Sequence, residues 1–369
     1  MKVCFLGFYA YKLFDAECNA TFGGAEVQLF QMAKKLAEFS ECEVSFVVAD
    51  VGQTAVQEYF GIKVYRGIKL GGGRRLIRLP VSLLALFRIL KIIDADIYIQ
   101  RAAGKETGII ALFCKLFKKK FIYMTACELD CNGQYARTHG LDGRMYEFGL
   151  KKADRIIVQT VRDQKMVKAV YNRDTSILRS SYPLPGKRAA GGKKSLLWVG
   201  RLEQLKQPHK FIELAQKFSH LKFVMIAPVS TDLRFALEVK NKVIAVKNLE
   251  FIPGVDFESV DGYFKQAKIF INTSTYEGFP NTFVQAAMYA TPVVSLNVNP
   301  DNFLNEYACG YCAGGDEEKM AEYVKKLFED KNDWQQKSNN IYQYAKKQHD
   351  IGQNIENLKK IMRETLNKN

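Results

Sequence analysis

Two apolar rhythms take turns along this chain. Short runs such as residues 3–8 (VCFLGF) are continuously apolar, as strands covered on both faces are. Between them lie segments whose apolar residues return every three or four positions, the helical period. In residues 25–39, AEVQLFQMAKKLAEF, those residues are Val27, Phe30, Met32, Ala33, Leu36 and Ala37. CEVSFVVA and GIKVYRGI read as strands, 81–93 as an amphipathic helix, DIYIQR as a strand, TGIIALFCKLF as a helix and KKFIYMTA as a strand. Residues 146–153 read as a helix, ADRIIVQT as a strand and VRDQKMVKAVY as a helix. Strands alternating with helices predict an α/β fold built on a parallel, doubly wound sheet.

The stretch 180–195, SSYPLPGKRAAGGKKS, has no period and reads as a linker. Alternation then restarts with SLLWVG (strand), HKFIELAQKF (helix), LKFVMIA (strand), LRFALEVKNKV (helix) and NLEFIP (strand). SVDGYFKQA (helix), AKIFINTS (strand), NTFVQAAMYA (helix) and PVVSLN (strand) follow, and helical sequence runs on from Asp316. The expected organisation is a Rossmann-like domain over 1–180, a linker over 181–195 and a second Rossmann-like domain over 196–345. A helical segment, 346–369, would pack back on the first domain. The length of 369 residues agrees with two domains. Such sheets bind ligands beyond the C-terminal ends of their strands, so an interdomain cleft is the expected site.

Charge narrows the partners. Lys and Arg outnumber Asp and Glu by 54 to 39, a net +15. That excess suits an anion (a phosphate-bearing substrate, an anionic lipid or a nucleic acid) or is simply a basic soluble surface with no specific partner. Interleaved aromatic and basic motifs are missing, which argues against nucleic acid. The segment 76–93, LIRLPVSLLALFRILKII, is interrupted by Arg78, Arg88 and Lys91, so it reads as a basic amphipathic helix rather than a span. It either meets a membrane surface or packs on the sheet. With KLFKKK at 115–120 it motivates peripheral docking on an anionic membrane. The opening residues MKVCFLGFYAYKLFDAE lack an A-x-A-like cleavage site, so the expected compartment is the cytoplasm, on the inner face of the cell membrane. The eight cysteines are then reduced. Cys309 and Cys312 have CxxC spacing without a second pair or a nearby histidine, so no metal site is expected.

Three strand ends carry candidate chemistry. In YEGFPNTFVQ, Glu277 follows a strand, Pro280 suits the first turn of a helix, and the N–H groups near Asn281 and Thr282, with Gly278, make an anion site. A carboxylate beside a phosphate is unfavourable unless it serves another group, such as a sugar hydroxyl. In WVGRLEQLK, Arg201 and Lys206 follow a strand and a glycine, as a phosphate grip or as plain surface cations. Early in the chain, FGGAE sets Gly23 and Gly24 before a helix, permitting close approach of a ligand or merely ending a loop.

GGAE, VGR…K and EGFPN…Q with A-x-PVV, in this order, resemble the family-4 retaining glycosyltransferases of the GT-B fold. NEYACGYCAGGD (305–316) stands where that family has a glycine-bearing strand before an acidic helix start. The resemblance implies a donor nucleotide-diphosphate sugar, of UDP or GDP type, with no metal or other cofactor. Arg201 and Lys206 would hold the diphosphate and Glu277 the donor sugar. Gly278, Phe279, Pro280, Asn281 and Thr282 would line the site, and Gln285 would meet the ribose. Gly23 and Gly24 would lie beside the diphosphate, and Gly254 and Val255 would pass the base. The implied activity is a retaining, hexosyltransferase-like transfer to a glycan or lipid-linked acceptor in cell-surface polysaccharide biosynthesis. Attack would come from the face the leaving group departs.

Two departures stand out. The family's E-x7-E motif ends here in Gln285, an amide with one acceptor and two donors in place of a carboxylate. Many relatives carry a histidine after the strand that here reads FIYMTA, but this chain continues Cys127-Glu128-Leu129-Asp130. Glu128 and Asp130 are the acceptor-side candidates, with a plain loop as the equal alternative. The departures leave a catalytically silent scaffold in view, and a nucleotide-sugar epimerase of the same fold stands beside it as a neighbouring alternative.

Overall fold

The computed structural model describes residues 1–18, 20–69, 75–185, 193–228, 232–255 and 259–367, with the backbone alone for 75–82. Residues 71–74 before the basic helix, and 186–192 of the expected linker, lie outside the described residues.

The first of two units comprises Met1–Ser181 and Ile351–Asn369. Its strands are β1 (Lys2–Leu6), β2 (Glu43–Val48), β3 (Val56–Tyr59), β4 (Ile62–Arg66), β5 (Ile97–Arg101), β6 (Lys120–Met124), β7 (Arg155–Val158) and β8 (Ser176–Ile177). They lie in the order β3-β4-β2-β1-β5-β6-β7-β8, all parallel but for β3 against β4. The continuous apolar runs follow from two covered faces. Val3, Phe5, Phe46, Ile97, Ile99 and Ile122 enter one core, while Cys4, Leu6, Val47, Tyr98, Phe121 and Tyr123 enter the other. The helix Gly24–Leu36 lies on the first face, joined there by Ile355, Leu358, Ile361 and Met362 of the helix Ile351–Leu366. Helices Arg75–Ile93, Lys105–Leu116 and Gly140–Lys152 cover the second.

The antiparallel strand β3 has no counterpart in the sequence reading. Phe60 and Gly61, at φ 55° and 73°, form the two-residue turn to β4, and a left-handed pair of this kind matches the twist of a hairpin. Another local feature sits after β6. Asp130 is buried, and its carboxylate accepts from the N–H groups of Ala126 at 2.6 Å and Cys127 at 3.4 Å. It closes the turn into the short helix Glu128–Cys131.

The second unit, Tyr182–Asp350, holds β9 (Ser195–Val199), β10 (Lys222–Ile226), β11 (Leu249–Ile252), β12 (Ala267–Asn272), β13 (Val293–Ser295) and β14 (Gly310–Cys312). Their order is β11-β10-β9-β12-β13-β14, wholly parallel. Strand order therefore reverses between β9 and β12, the switch point at which ligands meet such sheets. Leu196, Trp198, Phe223, Met225, Ile269, Ile271 and Val294 share one core. Elsewhere Phe270 packs on Phe283, which leads through Phe303 to Tyr344 and His349. The chain enters and leaves this unit side by side: Tyr182 N donates to His349 O at 3.0 Å, and Tyr182 bridges Asp350 in parallel.

Two outcomes follow. A Cβ on Gly310 would lie 2.0 Å from Val293 O across the β13–β14 ladder. Gly310→Ala is expected to cost about 3 kcal/mol, read as a lower urea midpoint at unchanged m-value. Burial is the main cause that raises the Asp130 carboxyl above its ordinary range. Its stabilising contribution is therefore complete below the unfolded carboxyl's range and lost as pH rises through the folded value. Asp130→Asn keeps an oxygen for the two N–H groups, so it should gain in Tm on the wild type as pH rises above the range of an ordinary carboxyl. A pH-independent Tm difference would contradict this account.

Candidate functional site

The site forms where the loops after β9 and β12 lie against each other. β9 gives way to Gly200, Arg201 and the short 3₁₀ turn Gln204–Lys206. Two bonds fasten that turn to the loop after β12, and a third ties β9 itself to the same loop. Thr275 N donates to Leu205 O at 2.9 Å, Thr273 Oγ1 donates to Lys206 O at 2.6 Å, and Trp198 Nε1 donates to Thr273 Oγ1 at 2.9 Å. Neighbouring strands plus these ties bring Lys206 Nζ to 2.7 Å from Glu277 Oε1. The two side chains are only 21% and 16% exposed, so the pair is better shielded from water than a surface ion pair.

Glu277 is positioned through one oxygen. Oε1 also accepts from Ser274 Oγ at 2.7 Å and from Asn272 Nδ2 at 3.4 Å. Oε2 accepts no hydrogen bond among the described residues. A carboxylate held by one oxygen keeps the other for a hydroxyl donor. The Lys206 ammonium spends one N–H on Glu277 and, with three in all, retains donors for an anion. Arg201 is half-exposed, with Nε 3.3 Å from Glu203 Oε1. Its terminal nitrogens have no partner among the described residues.

The helix Asn281–Met288 opens one residue later than the sequence suggests, with Pro280 as an extended N-cap. Its first-turn N–H groups, at Asn281 and Thr282, point out of the helix mouth. Gly278 precedes that mouth in the loop. The Phe279 ring is buried against Phe283, Phe303 and His349, so its main chain is what a ligand would meet. Gln285 is buried in the same helix, and its amide has no hydrogen-bond partner among the described residues. Gly254 and Val255 follow β11 at the same sheet edge, two strands from β9 and so about 10 Å along it. Gly254 has φ 124°, which a side chain would strain.

The remaining candidates belong to the first unit. Gly23 caps the helix Gly24–Leu36, and its N–H donates to Glu26 Oε2 at 3.0 Å. Glu128 and Asp130 do not act as a pair. Glu128 bonds Arg162 at 3.0 Å, and Asp130 is engaged in its turn. The sequence reading passed over Glu106, in the first turn of the helix after β5. Burial raises its carboxyl, and Tyr9, in the loop after β1, is raised by burial and then by the charges of Glu106 and Glu26. Strands β1 and β5 are neighbours where the first sheet's order reverses. The signal was present as GKET after DIYIQR, a glycine between strand and helix like GGAE. Ser274 and Asn272 were also missed, although the polar run NTST directly after an apolar strand marks them.

Known proteins place these loops in context. Residues 185–348 match the family described as Glycosyl transferases group 1. A 2-deoxystreptamine N-acetyl-D-glucosaminyltransferase of Niallia circulans is 30% identical over 111 residues, a stretch covering 29% of this chain and 28% of that protein. HepE of Anabaena, solved with UDP and glucose, superposes at TM-score 0.78 with 14% identity, over 98% of this chain and 99% of that one. The sucrose-phosphate synthase of Thermosynechococcus elongatus also reaches 0.78, with 12% identity over 99% and 98%. At such identities the likeness is one of fold. The chain thus has the GT-B fold of these glycosyltransferases, and residues 185–348 carry a glycosyl transferases group 1 domain.

Proposed function

We propose that this protein is a retaining glycosyltransferase that moves a sugar from a nucleoside-diphosphate donor to a glycan or lipid-linked acceptor, in the assembly of a surface polysaccharide. The observation that carries the reading is the Lys206–Glu277 pair at the switch point, with Glu277 Oε2 left for a hydroxyl donor. A diphosphate at the mouth of the helix Asn281–Met288 meets Lys206 as a point charge and Arg201 as a fork. Glu277 then accepts from the donor sugar's hydroxyls. It repels the phosphate less than a lone carboxylate would, because Lys206 is bonded to it.

In this reading the bond from the anomeric carbon to the phosphate oxygen breaks, and a bond from that carbon to the acceptor oxygen forms on the same face. The acceptor proton passes to the departing phosphate oxygen. Lys206, Arg201 and the first-turn N–H groups stabilise the charge that develops there. Gln285 meets the ribose with neutral hydrogen bonds, which are about half as strong as a carboxylate's. UDP is the favoured nucleotide, since HepE was solved with UDP, with UDP and glucose, and with UDP-glucose. A silent scaffold is the second reading, motivated by Gln285 at the expected glutamate position.

A thermal-shift screen with UDP, GDP and their sugars, followed by product analysis, tests the proposal. No shift with any nucleoside diphosphate would sink the donor site. Glu277→Gln is expected to keep the UDP shift and lower transfer by about 100-fold. Lys206→Ala should lose most of the shift and destabilise the free protein by about 1–3 kcal/mol, discounted for the pair's partial exposure. Gln285→Glu should tighten nucleotide binding several-fold by restoring charge to the ribose contact. Sugar transfer equal to background in both wild type and Glu277→Gln would favour the scaffold.

A further inference from the structure

The first unit exposes apolar side chains that its own packing does not use. Along the described part of the helix Arg75–Ile93, Leu84, Arg88, Lys91 and Ile92 fall at spacings of four, three and one, on a single outward face. At the end of the helix Lys105–Leu116, the consecutive residues Lys115, Leu116, Phe117 and Lys118 are all exposed. The two groups join: the Phe117 ring lies 6.4 Å from Phe87 and 4.7 Å from Phe113, and Lys91 Nζ stands 5.7 Å from its centroid. Leu84, Ile92, Leu116 and Phe117 are 58%, 73%, 62% and 40% exposed.

Charge decides what such a surface fits. Arg88, Lys91, Lys115 and Lys118 have no ion-pair partner among the described residues. The nearby Asp94 is taken by Lys119 at 2.7 Å. Helix dipoles explain lysines in a last turn, but not four large apolar groups left in water among them. A second copy of this surface would bring four cations against four. An anionic bilayer instead offers phosphates to the cations and acyl chains to the apolar groups. Among the described residues no helix is long and apolar enough to cross a membrane, so contact of this kind lies on the surface.

We propose that Leu84, Arg88, Lys91, Ile92, Leu116 and Phe117, flanked by Lys115 and Lys118, form a docking face for an anionic lipid membrane. Both helices end beside the N-terminal ends of the strands that follow them, β5 and β6. The docked face therefore leaves the C-terminal strand ends, where ligands bind, uncovered. The inference rests on the first unit's surface and not on the donor reading.

The test is co-sedimentation of the full chain with phosphatidylcholine vesicles and with vesicles containing about one-third phosphatidylglycerol. Expected is at least ten-fold tighter binding to the anionic vesicles at low salt, weakened by salt. Replacing Leu84, Ile92, Leu116 and Phe117 by serine should abolish binding. Arg88, Lys91, Lys115 and Lys118 changed to glutamine should reduce it at least ten-fold. Each variant should retain the wild-type nucleotide response, or the wild-type Tm if no nucleotide binds, which separates this result from the fate of the donor site. Equal binding of wild type and both variants would overturn the proposal. So would no binding to anionic vesicles, or a self-association in solution that the serine variant abolishes.

Discussion

A carboxylate taken largely out of water has to be paid in donors, and Glu277 meets that requirement in a way that shapes its surroundings. Lys206, Ser274 and Asn272 all address the same oxygen. The arrangement needs two loops in contact, and these come from strands far apart in sequence, β9 and β12. The reversal of strand order makes them neighbours. Without that topology the ammonium and the carboxylate would stand at separate strand ends, and neither would be oriented.

The same constraint makes the site preorganised. Thr273 links Trp198, under the sheet's end, to the main chain of Lys206, so the lysine's backbone is anchored before any ligand arrives. A positioned cation loses little further freedom on meeting an anion, which is where preorganisation gains affinity. Arg201 differs. It is half-exposed and, among the described residues, its side chain is tied only to the flexible-stemmed Glu203 through a single nitrogen. The two cations thus differ, one a fixed charge and the other an adjustable one.

How much of this could be read from the chain depends on whether a residue acts locally. The parallel α/β elements were legible because burial on two faces writes continuous apolar runs, and Val3, Phe5, Cys4 and Leu6 divide between two cores as that implies. Glu277, Lys206 and Arg201 were legible as strand-end residues, but their distances were not, since register and strand order are non-local. Phe279 shows the limit well. Its position in the loop said nothing about its ring turning into the cluster with Phe283, Phe303 and His349. Asp130 read as an acceptor-side candidate because its main-chain partners, N–H groups that every sequence has, leave no mark in the chain. The strand β3 escaped notice because its residues are mostly polar and the turn at Phe60–Gly61 carries none of the usual asparagine or aspartate.

The helix Ile351–Leu366 has a consequence for the order of assembly. Its Ile355, Leu358, Ile361 and Met362 complete a core otherwise built from residues before 182, so the second unit is an insertion between parts of the first. As the chain leaves the ribosome, the unit made from one uninterrupted stretch has all its contacts available first. The earlier-synthesised sheet must wait, with the helix Gly24–Leu36 partly uncovered, until synthesis has passed through the whole of its neighbour. The adjacent entry and exit at Tyr182 and Asp350 shorten that wait in space if not in time. A folded insertion holds the two ends of the interrupted unit side by side, so closing the loop costs far less entropy than a free chain of the same length would.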